Sequence, residues 1–101
     1  MFSKLLIILN VYLHAPKYFY MKVSVDISYY PLKDEFKPGI IDFIKRINTY
    51  KELTAQTNGM STQIFGEYRY VMDALTNEIE KSFSVPHSVF VMKVINADLK
   101  M

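Results

Sequence analysis

The sequence predicts one small α+β domain, a four-stranded antiparallel sheet carrying two helices on one face. Three observations predict it. Residues 22–30 alternate apolar and polar side chains, as a half-buried strand does. Two segments with apolar residues at helical spacing flank a hairpin signal centred on Asn58-Gly59. A run rich in β-branched residues follows Pro86 and supplies a last strand.

In the first strand Val23, Val25, Ile27 and Tyr29 share one face, while Ser24, Asp26, Ser28 and Tyr30 share the other; Pro31 ends it, because proline cannot donate to a sheet ladder. In "KDEFKPGIIDFIKRINTY" the apolar positions Phe36, Ile40, Ile44 and Ile47, widened by Ile41 and Phe43, form a helical stripe. Asp34 can cap an early start, or Pro38 can occupy the first helical position. "ELTAQT" and "MSTQIF" flank Asn58-Gly59, a pair suited to a two-residue turn with positive φ. Such a turn sets Thr57 opposite Met60, Ala55 opposite Thr62 and Leu53 opposite Ile64. Thr54, Gln56, Ser61, Gln63 and Phe65 then lie on the other face. After Gly66, Val71, Leu75, Ile79 and Phe83 recur at four-residue intervals in a second helix, and "HSVFVMKVINADL" reads as the final strand. The order strand, helix, strand, strand, helix, strand is that of ferredoxin-like βαββαβ domains. It leaves one sheet face uncovered, bearing Ser24, Asp26, Ser28, Tyr30, Thr54, Gln56, Ser61 and Gln63.

The chain has 101 residues, 50% of them hydrophobic and 22% charged, which fits one modest core. Association with further copies would bury more surface. A net charge of +2 is too weak a bias to mark a nucleic-acid partner. With no cysteine, disulfides, thiolate chemistry and cysteine metal sites are excluded, and a cytoplasmic setting is expected.

Residues 1–20 differ from the rest. The apolar run 5–13 is too short for a stable membrane span, and no small-x-small cleavage signal follows it. We expect translation to begin at Met21 and residues 1–20 to be an N-terminal extension, with residues 21–101 forming the domain. A short amphipathic anchor or an extra packed helix is the alternative.

Catalytic signatures are sparse. His14 lies in the extension and His87 follows Pro86, so no metal-ligand spacing arises, and His87 reads as a loop residue. Gly39, Gly59 and Gly66 are scattered and make no phosphate-binding loop. Asp34-Glu35 and Glu78/Glu80 read as solvated helix positions. The expectation is a protein that is not an enzyme and carries neither metal nor cofactor.

"ISYYPLKDEF" and "GMSTQIFGEYRYVMDAL" resemble the YkoF-like family of thiamine- and hydroxymethylpyrimidine-binding proteins. The shared features are a strand ending Tyr30-Pro31, the acidic pair Asp34-Glu35, Ser61-Thr62, Gly66 and the helical segment 71–74. The resemblance spans about residues 23–83. It implies the ferredoxin-like fold, binding of the aminopyrimidine part of thiamine without chemistry, and a role in thiamine salvage or uptake. Some members carry two such units in tandem. A single-unit chain implies pairing of identical subunits through their sheets, as a homodimer or homotetramer. Relatives commonly place an acidic residue where this chain has Arg69, which bears on recognition of the cationic thiazolium.

The residue types suit that ligand. An aminopyrimidine is flat, with alternating ring nitrogens and an exocyclic amine, and needs coplanar donors and acceptors beside an apolar wall. Ser61, Thr62 and Gln63 offer both at short reach, with Gln56 opposite Ser61 in the expected register. Ser28 and Tyr30 close the first strand, and Tyr29 can serve as a stacking wall. A thiazolium would favour a carboxylate from Asp26 or Glu67. The competing reading is a regulatory or structural interaction module whose open sheet face docks a protein without a small ligand; hydroxyl and amide side chains there are then only its solvated side.

Overall fold

The computed structural model describes residues 21–101, so the expectation for residues 1–20 lies outside the described residues. The elements are β1 (Lys22–Pro31), α1 (Lys37–Ile47), β2 (Thr54–Thr57), β3 (Thr62–Glu67), α2 (Tyr68–Ser82) and β4 (Ser88–Ile95). The strands order as β2-β3-β1-β4, with every neighbouring pair antiparallel. This is the ferredoxin-like arrangement, with β1 and β3 central and β2 and β4 at the edges.

The alternation of β1 positions the core. Val23, Val25, Ile27 and Tyr29 are buried on the helix side against Phe43 and Ile47 of α1, Val71 and Leu75 of α2, and Ile64 of β3. Tyr29 stacks on Phe90 of β4, with centroids 4.3 Å apart, and meets Phe43 edge-on at 5.9 Å. Its hydroxyl is 3.0 Å from Ser88 Oγ, so one side chain ties β1, α1 and β4 together. Helix α1 takes the later of its two possible starts, with Pro38 in its first turn and no side-chain cap.

The open face is not wholly bare. Ser24 is buried because the chain beyond β4 folds back over it: Ser24 Oγ donates to the Ala97 carbonyl at 2.7 Å and accepts from the Leu99 amide at 2.8 Å.

Glu78 corrects an expectation. It is 2% exposed, held between the helices rather than solvated. Arg46 Nη1 donates to its Oε1 at 2.6 Å, the Tyr50 hydroxyl donates to Oε2 at 2.6 Å, and Lys81 Nζ lies 3.3 Å from Oε2. Burial pushes the carboxyl up, but the bonds from Tyr50, Arg46 and Lys81 together outweigh it and hold the group below its usual range. Arg46 also reaches Ser82 Oγ at 2.7 Å, which locks α1 to α2.

The hairpin corrects another. Thr57 pairs with Thr62, Gln56 with Gln63, Ala55 with Ile64 and Thr54 with Phe65. The connection is the loop 58–61, and no described residue has positive φ. Asn58 Oδ1 accepts from the amides of Met60 (2.8 Å) and Ser61 (3.1 Å), and the Asn58 amide donates to the Ser61 carbonyl at 3.0 Å. The asparagine side chain thus mimics a backbone turn and removes the need for a left-handed pair. Because the pairing shifts by two residues, each side chain keeps its expected face.

This geometry distinguishes two substitutions. A Cβ at Gly59 meets nothing within 4 Å and its φ is not positive, so Gly59→Ala should leave stability unchanged or raise it by about 0.4–1 kcal/mol. Asn58→Ala should cost about 1 kcal/mol through the lost turn bonds. Urea unfolding of both variants checks this; a Gly59→Ala loss exceeding that of Asn58→Ala would restore the two-residue turn.

Candidate functional site

Two surfaces carry the candidate residues, one on each side of the sheet. The first is a cavity of about 440 Å³ at the end of the sheet where β1 finishes. Its floor is Ile27 and Tyr29 of β1 with Thr62 of β3; Phe43, Ile40 and Ile44 of α1 form one wall, and the loop 58–61 forms the other. Phe36 and Leu32, both substantially exposed, border the mouth with Met60. Thr62 is only 5% exposed, and its hydroxyl lies 2.9 Å from that of Thr57, so a hydroxyl pair sits in an otherwise apolar and aromatic recess. The volume falls at the small end of ligand cavities and suits one flat ring system.

This recess exists because the chain cannot continue either element across it. Pro31 closes β1, Pro38 starts α1 late, and the intervening residues arch over the sheet end, held by the Leu32 amide donating to the His87 carbonyl at 2.8 Å. Gly39 opens onto the strand end, where a Cβ would make only ordinary contacts, 3.6 Å from Pro31 Cγ and 3.7 Å from the Tyr29 hydroxyl.

The second surface is a polar cluster on the open face. Asp26 Oδ1 accepts from Ser61 Oγ at 2.5 Å and from Gln63 Nε2 at 2.9 Å, and Gln63 Nε2 also lies 2.8 Å from Ser61 Oγ. Lys93 Nζ of β4 stands 3.8 Å from Asp26 Oδ2. The bonds from Ser61 and Gln63 lead in holding the Asp26 carboxyl below its ordinary range; they outweigh the opposing effect of burial, and Lys93 adds to them. A charge in mid-strand is costly without partners, and these bonds offset that cost within the sheet.

The sequence candidates therefore separate. Thr62 faces the cavity; Ser61 borders it and also bonds Asp26, which with Gln63 forms the open-face cluster, and Gln56 faces Gln63 across the β2–β3 pairing. Adjacent strand residues point to opposite faces, so Thr62 and Gln63 do not present their side chains to one ligand, whereas Ser61, in the loop before the strand, borders the cavity beside Thr62. Ser28 and Tyr30 border the cavity at the strand end, and Ser28 Oγ lies 3.4 Å from the Met60 carbonyl. Glu67 stands at the far end of the sheet, opposite Lys22, roughly 17 Å along β1 from the Thr62–Ile27 pair. Its Oε1 is 3.6 Å from Lys22 Nζ, and its buried Oε2 has no hydrogen-bond partner among the described residues. Tyr29, expected as a stacking wall, lies in the cavity floor, with its ring stacked on Phe90. Arg69 lies 5.8 Å from the centroid of the Tyr68 ring.

Sequence reasoning missed Phe36, Ile40 and Ile44 as cavity residues, because a helical apolar stripe reads as core. The signal was present in Phe36: it extends the stripe to the N-terminal side of Pro38, where no helix continues to bury it. Among the described residues, no His, Asp and Glu group could hold a metal ion, and no helix is long and apolar enough to cross a membrane.

No protein-family model and no curated protein matches the chain. Solved structures do. A hypothetical protein from Methanocaldococcus jannascii superposes with a TM-score of 0.68 at 21% identity, over 80% of this chain and 86% of its own. A protein from Thermotoga maritima, described as a proposed thiamine biosynthesis/salvage protein, gives 0.67 at 20% identity, over 78% and 84%. A Bacillus cereus domain of unknown function, DUF77, gives 0.65 at 12% identity, over 79% and 80%. At these identities the likeness is one of fold.

The open-face cluster makes a pH prediction. A depressed carboxyl contributes stability that is present above its unfolded value, about 3.9, and is lost as pH falls through the folded value. The stability difference between wild type and Asp26→Asn should be constant above about pH 5 and shrink below it. Its amplitude is small, since the Asp26 side chain is 37% exposed. Urea unfolding at several pH values checks this; a difference that grows on acidification would contradict it.

Proposed function

We propose that this chain is a non-catalytic binder of a small flat heteroaromatic, the hydroxymethylpyrimidine moiety of thiamine or thiamine itself, serving salvage or uptake. The observation that carries the reading is the cavity at the sheet end, with apolar and aromatic walls and the Thr57–Thr62 hydroxyl pair in its floor. Aromatic and aliphatic walls favour a planar ring by area and stacking, and a few fixed hydroxyls orient its nitrogens and amine. The fold shared with the Thermotoga protein adds an associational argument in the same direction. Pairing of subunits through their open sheet faces, as a homodimer or homotetramer, belongs to the same proposal.

A second reading follows from the open face itself. Tyr30, Val89, Val91 and Ile95 are exposed there around the internally satisfied Asp26 cluster, a composition suited to docking a protein surface without any small ligand.

Calorimetric titration with thiamine, hydroxymethylpyrimidine and thiamine diphosphate separates the two. Saturable heat is expected with at least the pyrimidine, weakened roughly tenfold or more by Thr62→Ala and left unchanged by Gln63→Ala on the opposite face. Heat weakened by Gln63→Ala alone would move the ligand to the open face. No heat from the folded protein would sink the binder and leave the interaction module.

A further inference from the structure

The loop 58–61 walls the cavity, yet little of the sheet holds it there. Pairing of β3 with β1 stops at Ile27–Thr62, and pairing with β2 stops at Thr57–Thr62, so the loop overhangs the end of the sheet. Its tip has little packing: Met60 is 86% exposed, and a Cβ at Gly59 would meet nothing within 4 Å. The bonds that Asn58 Oδ1 accepts from the Met60 and Ser61 amides set the loop's shape, but they are internal and do not fix where it lies. Among the described residues, its ties to β1 are of unequal quality. Ser28 Oγ reaches the Met60 carbonyl only at 3.4 Å, near the limit for a hydrogen bond. Ser61 Oγ donates to Asp26 Oδ1 at 2.5 Å, a short bond to a charged acceptor.

We propose that Asp26 is a positioning residue of the cavity: through Ser61 it fixes the wall 58–61, and with it the Thr62 hydroxyl, against the floor formed by β1. Ser61 lies two positions from Gln63, the register partner of Asp26, which makes it the diagonal neighbour of the carboxylate. It directs its one hydroxyl proton to Asp26 and accepts from Gln63 Nε2 at 2.8 Å, so it anchors the loop rather than offering a donor to the recess. One peptide bond joins it to Thr62, so a displaced Ser61 shifts the backbone that carries the Thr57–Thr62 pair. Asp26 itself lies outside the cavity lining and acts on it from the other face of the sheet. Gln63 braces the pair from the side, 2.9 Å from Asp26 Oδ1, but the Ser61–Asp26 bond does not pass through it. Lys93 stands 3.8 Å from Oδ2, the oxygen that Ser61 does not use.

The value of this anchor to a ligand rests on the binding reading of the recess; the anchoring is a property of the loop alone. A wall already in place spares the ligand the cost of ordering it. A loop that kept the binding geometry about a tenth of the time would lower apparent affinity about tenfold.

The test uses the full chain, with calorimetric titration of hydroxymethylpyrimidine and, without ligand, backbone amide relaxation order parameters along residues 58–61. Asp26→Ala and Ser61→Ala should each lower those order parameters, leave those of α1 unchanged, and weaken the pyrimidine about three- to tenfold. The double variant should be no worse than either single one, because both remove the same bond. Asp26→Asn keeps an oxygen for Ser61 and should bind within about twofold of wild type. Lys93→Ala should match wild type. A folded Asp26→Ala with wild-type loop order and affinity would overturn the proposal, as would single-variant losses that add in the double. A loss in Asp26→Asn as large as in Asp26→Ala, with the loop still ordered, would assign the effect to charge and overturn it too. Should the wild type bind no pyrimidine, the binding reading fails, and loop order alone decides whether Asp26 is the anchor. Should Asp26→Ala not fold, Ser61→Ala in the loop carries both readouts.

Discussion

The period-two alternation of β1 is the constraint from which the rest of the molecule follows. As the strand flanked by β3 and β4, it hands one row of side chains to the helices and the other to the open face. A slip of one residue would drive Ser24, Asp26 and Ser28 into the core and expose Val23, Val25 and Ile27, so the register is strongly specified. Tyr29 ends the buried row. Stacked on Phe90, edge-on to Phe43 and bonded at its hydroxyl to Ser88, it marks where the packed core stops and the cavity begins.

The helix layer is set by a different device. A buried carboxylate is poor evidence of net stabilisation, because its desolvation offsets much of the attraction. What Glu78 supplies is registry: its oxygens accept from Arg46 of α1, from Tyr50 beyond it and from Lys81 of α2, a combination available at one rotation and height of the two helices. The cavity wall depends on that placement, since Ile40 and Ile44 belong to the same helix as Arg46.

The faces of β1, β2 and β3 were legible in the residues, and so was the order of elements. Three features were not, each for a physical reason. The Asn58 side chain makes turn bonds that a reading of Asn-Gly as a left-handed pair does not contain, so the loop gained two residues while the faces stayed put. The four-residue spacing of Val71, Leu75, Ile79 and Phe83 drifts about 40° per step around a helix turning 100° per residue. Phe83 has therefore rotated out to solvent, and positions 78 and 82, a glutamate and a serine, hold the buried stripe instead. Finally, Thr62 and Gln63 are neighbours in sequence but serve opposite faces, because a strand sends adjacent side chains to opposite sides, with Ser61 in the loop between the cavity and the open-face cluster.

That separation bears on the ligand's charge. Asp26, the carboxylate best placed by sequence to meet a cationic ring, is engaged by Ser61, Gln63 and Lys93 and lies on the face away from Thr62. Glu67 is at the other end of the sheet, beside Lys22. The cavity's own lining contains no acidic residue among those described. A neutral pyrimidine can bury its faces there against Phe36, Phe43 and Ile40 with its polar edge on the Thr57–Thr62 pair. A permanently charged thiazolium has no counterpart within and would keep its hydration only at the mouth, between Leu32 and Met60. On the proposed binding reading, the recess would take the neutral half of thiamine. In the binding reading, that half carries recognition, while the cationic half is a tolerated extension into solvent.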